Sequence, residues 1–128
     1  MNVQPWRWLA AMAAVYGLLV VLLAALGAHV VPLRDAAVVR MWNTALEMHL
    51  FHTMAMLGLA AIAVTLSSRA IVYSGLLFAA GTVLFSGSLY LRAAGADWFP
   101  DYLAPAGGML LIAAWLWLVI IFFRKSSG

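Results

Sequence analysis

Apolar positions come in four long runs separated by short polar breaks. The first run, from about Trp8 to Ala28, matches the ~20 residues a helix needs to cross the hydrocarbon. Trp6 and Trp8 at its start suit the membrane interface. A cleaved leader is the competing reading, with Arg7 as its basic head and Ala25-Leu26-Gly27 as a small-residue cleavage site. Leaders carry only ~7–15 apolar residues, so the longer run reads as a span.

The pattern changes from His29 to Glu47. Pro32 breaks the run, and Asp35 can cap a helix starting at Ala36. Arg40, Asn43 and Glu47 then fall at i, i+3 and i+7, one polar stripe opposite Val38, Val39, Met41, Trp42 and Leu46. That alternation predicts an amphipathic interfacial helix leading into a second span, Met48 to Leu66. Ser67-Ser68-Arg69 is a very short turn, so spans two and three are expected as antiparallel neighbours. Span three runs from Ala70 to about Leu91, and a polar loop follows from Arg92 to Asp101. Span four starts near Pro105, where a first helical turn tolerates proline, and ends at Phe123. The expected architecture is an all-α membrane protein: a single domain, residues 1–128, built as a four-transmembrane-helix bundle with a short interfacial helix before span two.

Composition agrees with the pattern. Of 128 residues, 67% are hydrophobic and 9% charged, against about 25% charged in a soluble domain. The mean hydropathy is +1.06. The formal net charge of +3 is spread over segment ends, which excludes a nucleic-acid footprint. Cysteine is absent, so disulfides, thiolate catalysis and cysteine metal sites are excluded.

Loop charges suggest an orientation. The side holding both termini and the Ser67–Arg69 turn carries Arg7, Arg69, Arg124 and Lys125; the other carries Arg34, Arg40 and Arg92. The excess predicts cytoplasmic termini.

Small residues mark where helices pack. Lipid is as apolar as leucine, so membrane helices associate through close approach and a few hydrogen bonds. Ser74, Gly81 and Ser88 repeat every seven residues, with Gly87 beside them. Gly107-Gly108 opens span four with another close-approach point. Ser86 and Ser88 either bond their own backbone or line a ligand site.

Two histidines, His49 and His52, stand inside span two, where an ionisable group is costly and marks a candidate site. A neutral imidazole can simply hydrogen-bond a facing helix. Met48, Met54 and Met56 add thioethers that suit copper(I), although Met54 projects away from Met56. Haem ligation by His29 or His52 is a further option, and a proton-sensitive or small-ligand role is another. No cofactor is the leading expectation. Nor is catalysis: the acids lie in loops or at the interface, and no serine has a recognisable histidine-and-acid partner.

Several motifs in order carry a family resemblance: Gly27-Ala28-His29, Thr44-Ala45 with His52, Leu84-Phe85-Ser86-Gly87-Ser88-Leu89-Tyr90, and Pro105-x-Gly107-Gly108 with Trp115. Together they resemble the domain of unknown function 423 / transmembrane protein 256 family. The resemblance implies a small multi-pass protein of the bacterial inner membrane and no established activity. The chain departs from the family pattern in three places. Met48-His49 replaces a Tyr-Gln pair, Ala104 a threonine and Ala24 a glycine. His49 therefore reads as a local variation, and His52 as the stronger candidate.

Two functional expectations follow. The first is a non-enzymatic accessory or stabilising subunit, in contact with the bilayer and other membrane subunits. The alternative is a protein handling a small ligand, quinone, metal or proton. Its site would be an outer-leaflet cluster of His29, His52, Ser86, Ser88, Gly107 and Gly108, converging at one depth.

Overall fold

Proline at the first helical position starts the first helix, where a missing N–H costs nothing. The computed structural model describes residues 4–33 and 35–125. Arg34, counted above among the loop charges, lies outside the described residues. Helix α1 spans Pro5–His29, α2 Ala36–Leu66 and α3 Arg69–Thr82. A π-helical turn, Val83–Gly87, continues α3 into α4, Ser88–Ala93; together they make a third span, Arg69–Ala93. Helix α5 spans Leu103–Lys125. Four helical stretches are long and apolar enough to cross a membrane. This is a multi-pass helical membrane protein.

The amphipathic segment is not a separate helix. It forms the first turns of α2, because nothing between Ala36 and Met48 interrupts the ladder and its apolar side continues the bundle-facing side of the span. Trp42 and Ala45 are buried there, while Arg40, Asn43 and Glu47 are exposed. At 31 residues, α2 is about 46 Å long, well beyond the ~30 Å hydrocarbon. Its first turns therefore reach the interface. Asp35 occupies the N-cap position, but its side chain makes no capping bond.

Connections are tight. Ser67 adopts a left-handed conformation (φ 46°), ending α2 one residue before the cap of α3. Between α4 and α5, Gly95 takes φ 96°, which costs little without a Cβ. Arg92 closes that loop by an ion pair with Asp101.

The third span organises the bundle, since α1, α2 and α5 all pack on it. Among the described residues, α1 and α5 do not pack on each other. The main core joins Leu9 and Ala13 of α1, Met56 of α2, Phe78 of α3, and Leu111 and Ala114 of α5. Helix α1 is thus an integral part of the core. A smaller core near the α2 N-terminal half holds Trp42, Ala45, Tyr90 and Ala93.

Glycines set the closest approaches. A Cβ on Gly81 would lie 2.8 Å from Leu111 Cγ of α5. One on Gly107 would lie 2.8 Å from the Leu84 carbonyl carbon and 2.9 Å from the Gly81 oxygen, so α5 rests directly on the backbone of the π turn. Ser74, Gly81 and Ser88 are all buried, as the seven-residue repeat requires. Gly87 differs: a Cβ there meets nothing within 4 Å, so it is not a packing contact.

Candidate functional site

Helical spacing places His49, His52, Thr53 and Met56 on the buried side of α2. The two histidines are nearly fully buried, at 5% and 1% exposure. They face different neighbours.

His52 is closed on both sides. Trp115 Nε1 donates to its Nε2 at 3.2 Å, so Nε2 carries no proton. The proton is on Nδ1, which donates to the Met48 carbonyl at 2.8 Å. Phe78, Phe51 and Trp115 pack around the ring. The imidazole is neutral, and both nitrogens are engaged.

His49 sits on the side toward α1 and the third span. Its Nδ1 lies 3.2 Å from the Tyr90 hydroxyl. Tyr16 of α1 packs edge-on to the ring, with centroids 5.5 Å apart. The Tyr16 hydroxyl itself donates across to the Ala79 carbonyl at 2.8 Å, tying α1 to α3. The Tyr16 backbone carbonyl also faces the imidazole, yet Nε2 makes no hydrogen bond. Among the described residues, three buried side-chain atoms have no partner: Trp42 Nε1, His49 Nε2 and Thr82 Oγ1. The Trp42 indole lies against Gly27, where a Cβ would overlap it. The other two belong to residues lining one cavity of about 170 Å³ between α1 and the π turn.

The residues expected to converge do not form one cluster. Gly27 packs on Trp42 and Gly17 faces Thr53, which sets the antiparallel register of α1 and α2. His29 is exposed at the Trp42 end. His52 is ten residues further along α2 (52 − 42), about 15 Å of helix away. The expectation of a shared depth assumed that span two began at Met48; the helix begins at Ala36, so His52 stands near its middle. Ser86 donates to the Ala45 carbonyl at 2.8 Å, a helix-to-helix bond. Ser88 bonds its own helix at Phe85 O, 2.9 Å. Gly107 and Gly108 meet the π turn rather than either histidine.

His49, read from the sequence as a local variation, is buried at mid-helix beside Tyr90. Sequence reasoning also missed Thr82's orphaned hydroxyl, the π turn and the cavity. None has a local signature, because each depends on what the facing helix leaves unfilled. The soft-metal donors stay dispersed, with Met54 exposed and Met56 fully buried. Among the described residues, no three His, Asp or Glu side chains gather as a metal site.

A family model described as "Protein of unknown function (DUF423)" matches residues 23–108. The chain belongs to the DUF423 family. Relatives of this DUF423 protein include the UPF0382 inner membrane protein YgdD of Escherichia coli K12. That protein is 38% identical over 124 residues, covering 95% of each chain. The UPF0382 membrane protein YwdK of Bacillus subtilis is 32% identical over 85% of this chain and 90% of its own length. The UPF0382 membrane protein SH2409 of Staphylococcus haemolyticus is 34% identical over 65% of this chain and 67% of its own. No solved structure matches the chain. The DUF423 match takes in both histidines, Thr82, the π turn and Gly107, and leaves Tyr16 outside it.

Proposed function

We propose that this DUF423 protein is a non-enzymatic bundle that works by contact, as a stabilising subunit of a larger inner-membrane complex. The observation that carries this reading is how the buried polar groups are used. Tyr16 to Ala79, Ser86 to Ala45 and Trp115 to His52 each tie one helix to another. In hydrocarbon such bonds orient helices, whereas a catalytic group must be turned toward a substrate.

A surface feature adds support. Gly58 lies on the exposed side of α2, and a Cβ there meets nothing. Ala61, also exposed, is three residues on. Lipid gains nothing from a glycine, but a partner helix gains close approach. The names of the E. coli relatives favour the inner membrane, and the excess of Arg and Lys at the termini favours their cytoplasmic placement.

The test is cross-linking in intact membranes followed by isolation in lipid nanodiscs. A stoichiometric partner is expected, and Gly58→Leu should release it without altering the fold. A solitary chain with no cross-linked partner overturns the reading.

A further inference from the structure

Helix α2 carries charge on a face that the bundle leaves uncovered. Arg40, Asn43, Met54 and Gly58 lie within about 40° of Glu47 around the helix axis, and all of them are exposed. Register with the neighbouring helices gives their depth. Gly27 packs on Trp42, so Arg40 is level with His29 of the antiparallel α1. The Ser86 bond to Ala45 puts Arg92 of the third span at the same level. These three side chains mark a polar girdle at one end of the bundle. Glu47 lies seven residues beyond Arg40 (47 − 40), about 10 Å deeper.

At the level of Glu47 the neighbouring helices present Leu22 and Leu84. Its carboxyl group is therefore held at hydrocarbon depth, on the side of α2 that faces out of the bundle. An ionisable group there is costly unless something pairs it. Among the described residues, the Glu47 side chain has no ion pair and no hydrogen bond. Lysine and arginine near a helix end reach back to the interface along a long apolar stem. Glutamate has a shorter one, and Asn43 and Arg40 already occupy the face between it and the girdle.

The charges also say what covers this face. A second copy in a symmetric parallel pair would set Glu47 against Glu47 and Arg40 against Arg40, and like charges repel. A copy in any other orientation has no cation to offer at that depth, because the seven Lys and Arg of the sequence all lie at or beyond span ends. Gly58, about three turns further along the same face, offers close approach to a helix rather than to lipid. We propose that the α2 face from Arg40 to Gly58 docks a membrane-spanning helix of a different protein, one that carries a lysine or arginine inside its span at the level of Glu47. This rests on the contact reading above and adds the chemistry of the partner.

The full chain takes a donor dye through Ser67→Cys, since the sequence has no other cysteine. It is reconstituted in lipid vesicles with acceptor-labelled synthetic helices. The probe is a Leu-Ala span of ~20 residues with one lysine about one turn from one end; controls carry leucine or glutamate at that position. The lysine helix should give saturable energy transfer and bind about fivefold to thirtyfold tighter than the leucine helix. Glu47→Gln should remove that preference, and Glu47→Lys should transfer it to the glutamate helix. Asp97→Asn, which neutralises an exposed acid of the loop before α5, should leave it unchanged. Circular dichroism confirms that each variant is folded. A lysine preference that is absent, or that ignores residue 47, overturns the proposal. A native cross-linked partner held equally by the wild type and by Glu47→Lys keeps the contact reading and overturns this one.

Discussion

Trp115 of α5 donates its indole N–H to His52 of α2 at 3.2 Å, across two helices whose backbones do not pack on each other. This bond closes the gap between α2 and α5 and selects the histidine tautomer. Trp115→Phe keeps the aromatic contact with Phe78 but removes the donor. Stability should fall by about 1–2 kcal/mol, read by reversible unfolding in bicelles. In the native protein, nitrogen-15 spectra should show His52 protonated at Nδ1 only; a proton on Nε2 contradicts the assignment.

Gly107 carries the contact of α5 with the π turn. Gly107→Ala puts a methyl group against backbone atoms that cannot rotate away. A loss of about 1–3 kcal/mol is expected. Gly58→Ala is the matched control, because its Cβ meets nothing and alanine favours helix by up to ~1 kcal/mol. Equal effects at the two positions would show that helix propensity, not the crossing, governs.

Ser86→Ala removes the hydroxyl that reaches Ala45 O. The carbonyl stays within α2's own ladder, so the cost should be modest, about 0.6 kcal/mol and no more than ~1.7. A larger loss in the same unfolding assay would mean that Ser86 does more than tie two helices.

The Arg92–Asp101 pair closes the loop before α5, but its side chains are 34% and 90% exposed. Water and salt screen such a pair, so a double-mutant cycle should return at most ~1 kcal/mol, shrinking as salt is raised. Coupling that is strong and indifferent to salt would contradict the screened geometry.

The absence of cysteine makes orientation simple to measure. With both termini cytoplasmic, Asp97→Cys should react with a membrane-impermeant maleimide in intact cells, and Ser67→Cys only after permeabilisation. The reverse pattern inverts the bundle.

By itself the sequence determined the class of the protein, the number of spans and most of their ends. Runs of apolar residues leave no other way to satisfy the backbone in lipid. The seam of Ser74, Gly81 and Ser88 and the close approach at Gly107 were legible too, because small residues at helical spacing have one main use in a membrane. The length of α2 was less legible: Arg40, Asn43 and Glu47 look like a boundary, yet a polar stripe on one side does not stop a helix. Only the tertiary structure decided what the histidines do. Periodicity puts His49 and His52 on one side of α2, but Trp115 meets one, and Tyr16 and Tyr90 meet the other. Those partners come from helices distant in sequence. The empty space beside His49 and Thr82 is set by where α1 and the π turn fail to touch, and no local pattern of residues encodes a gap.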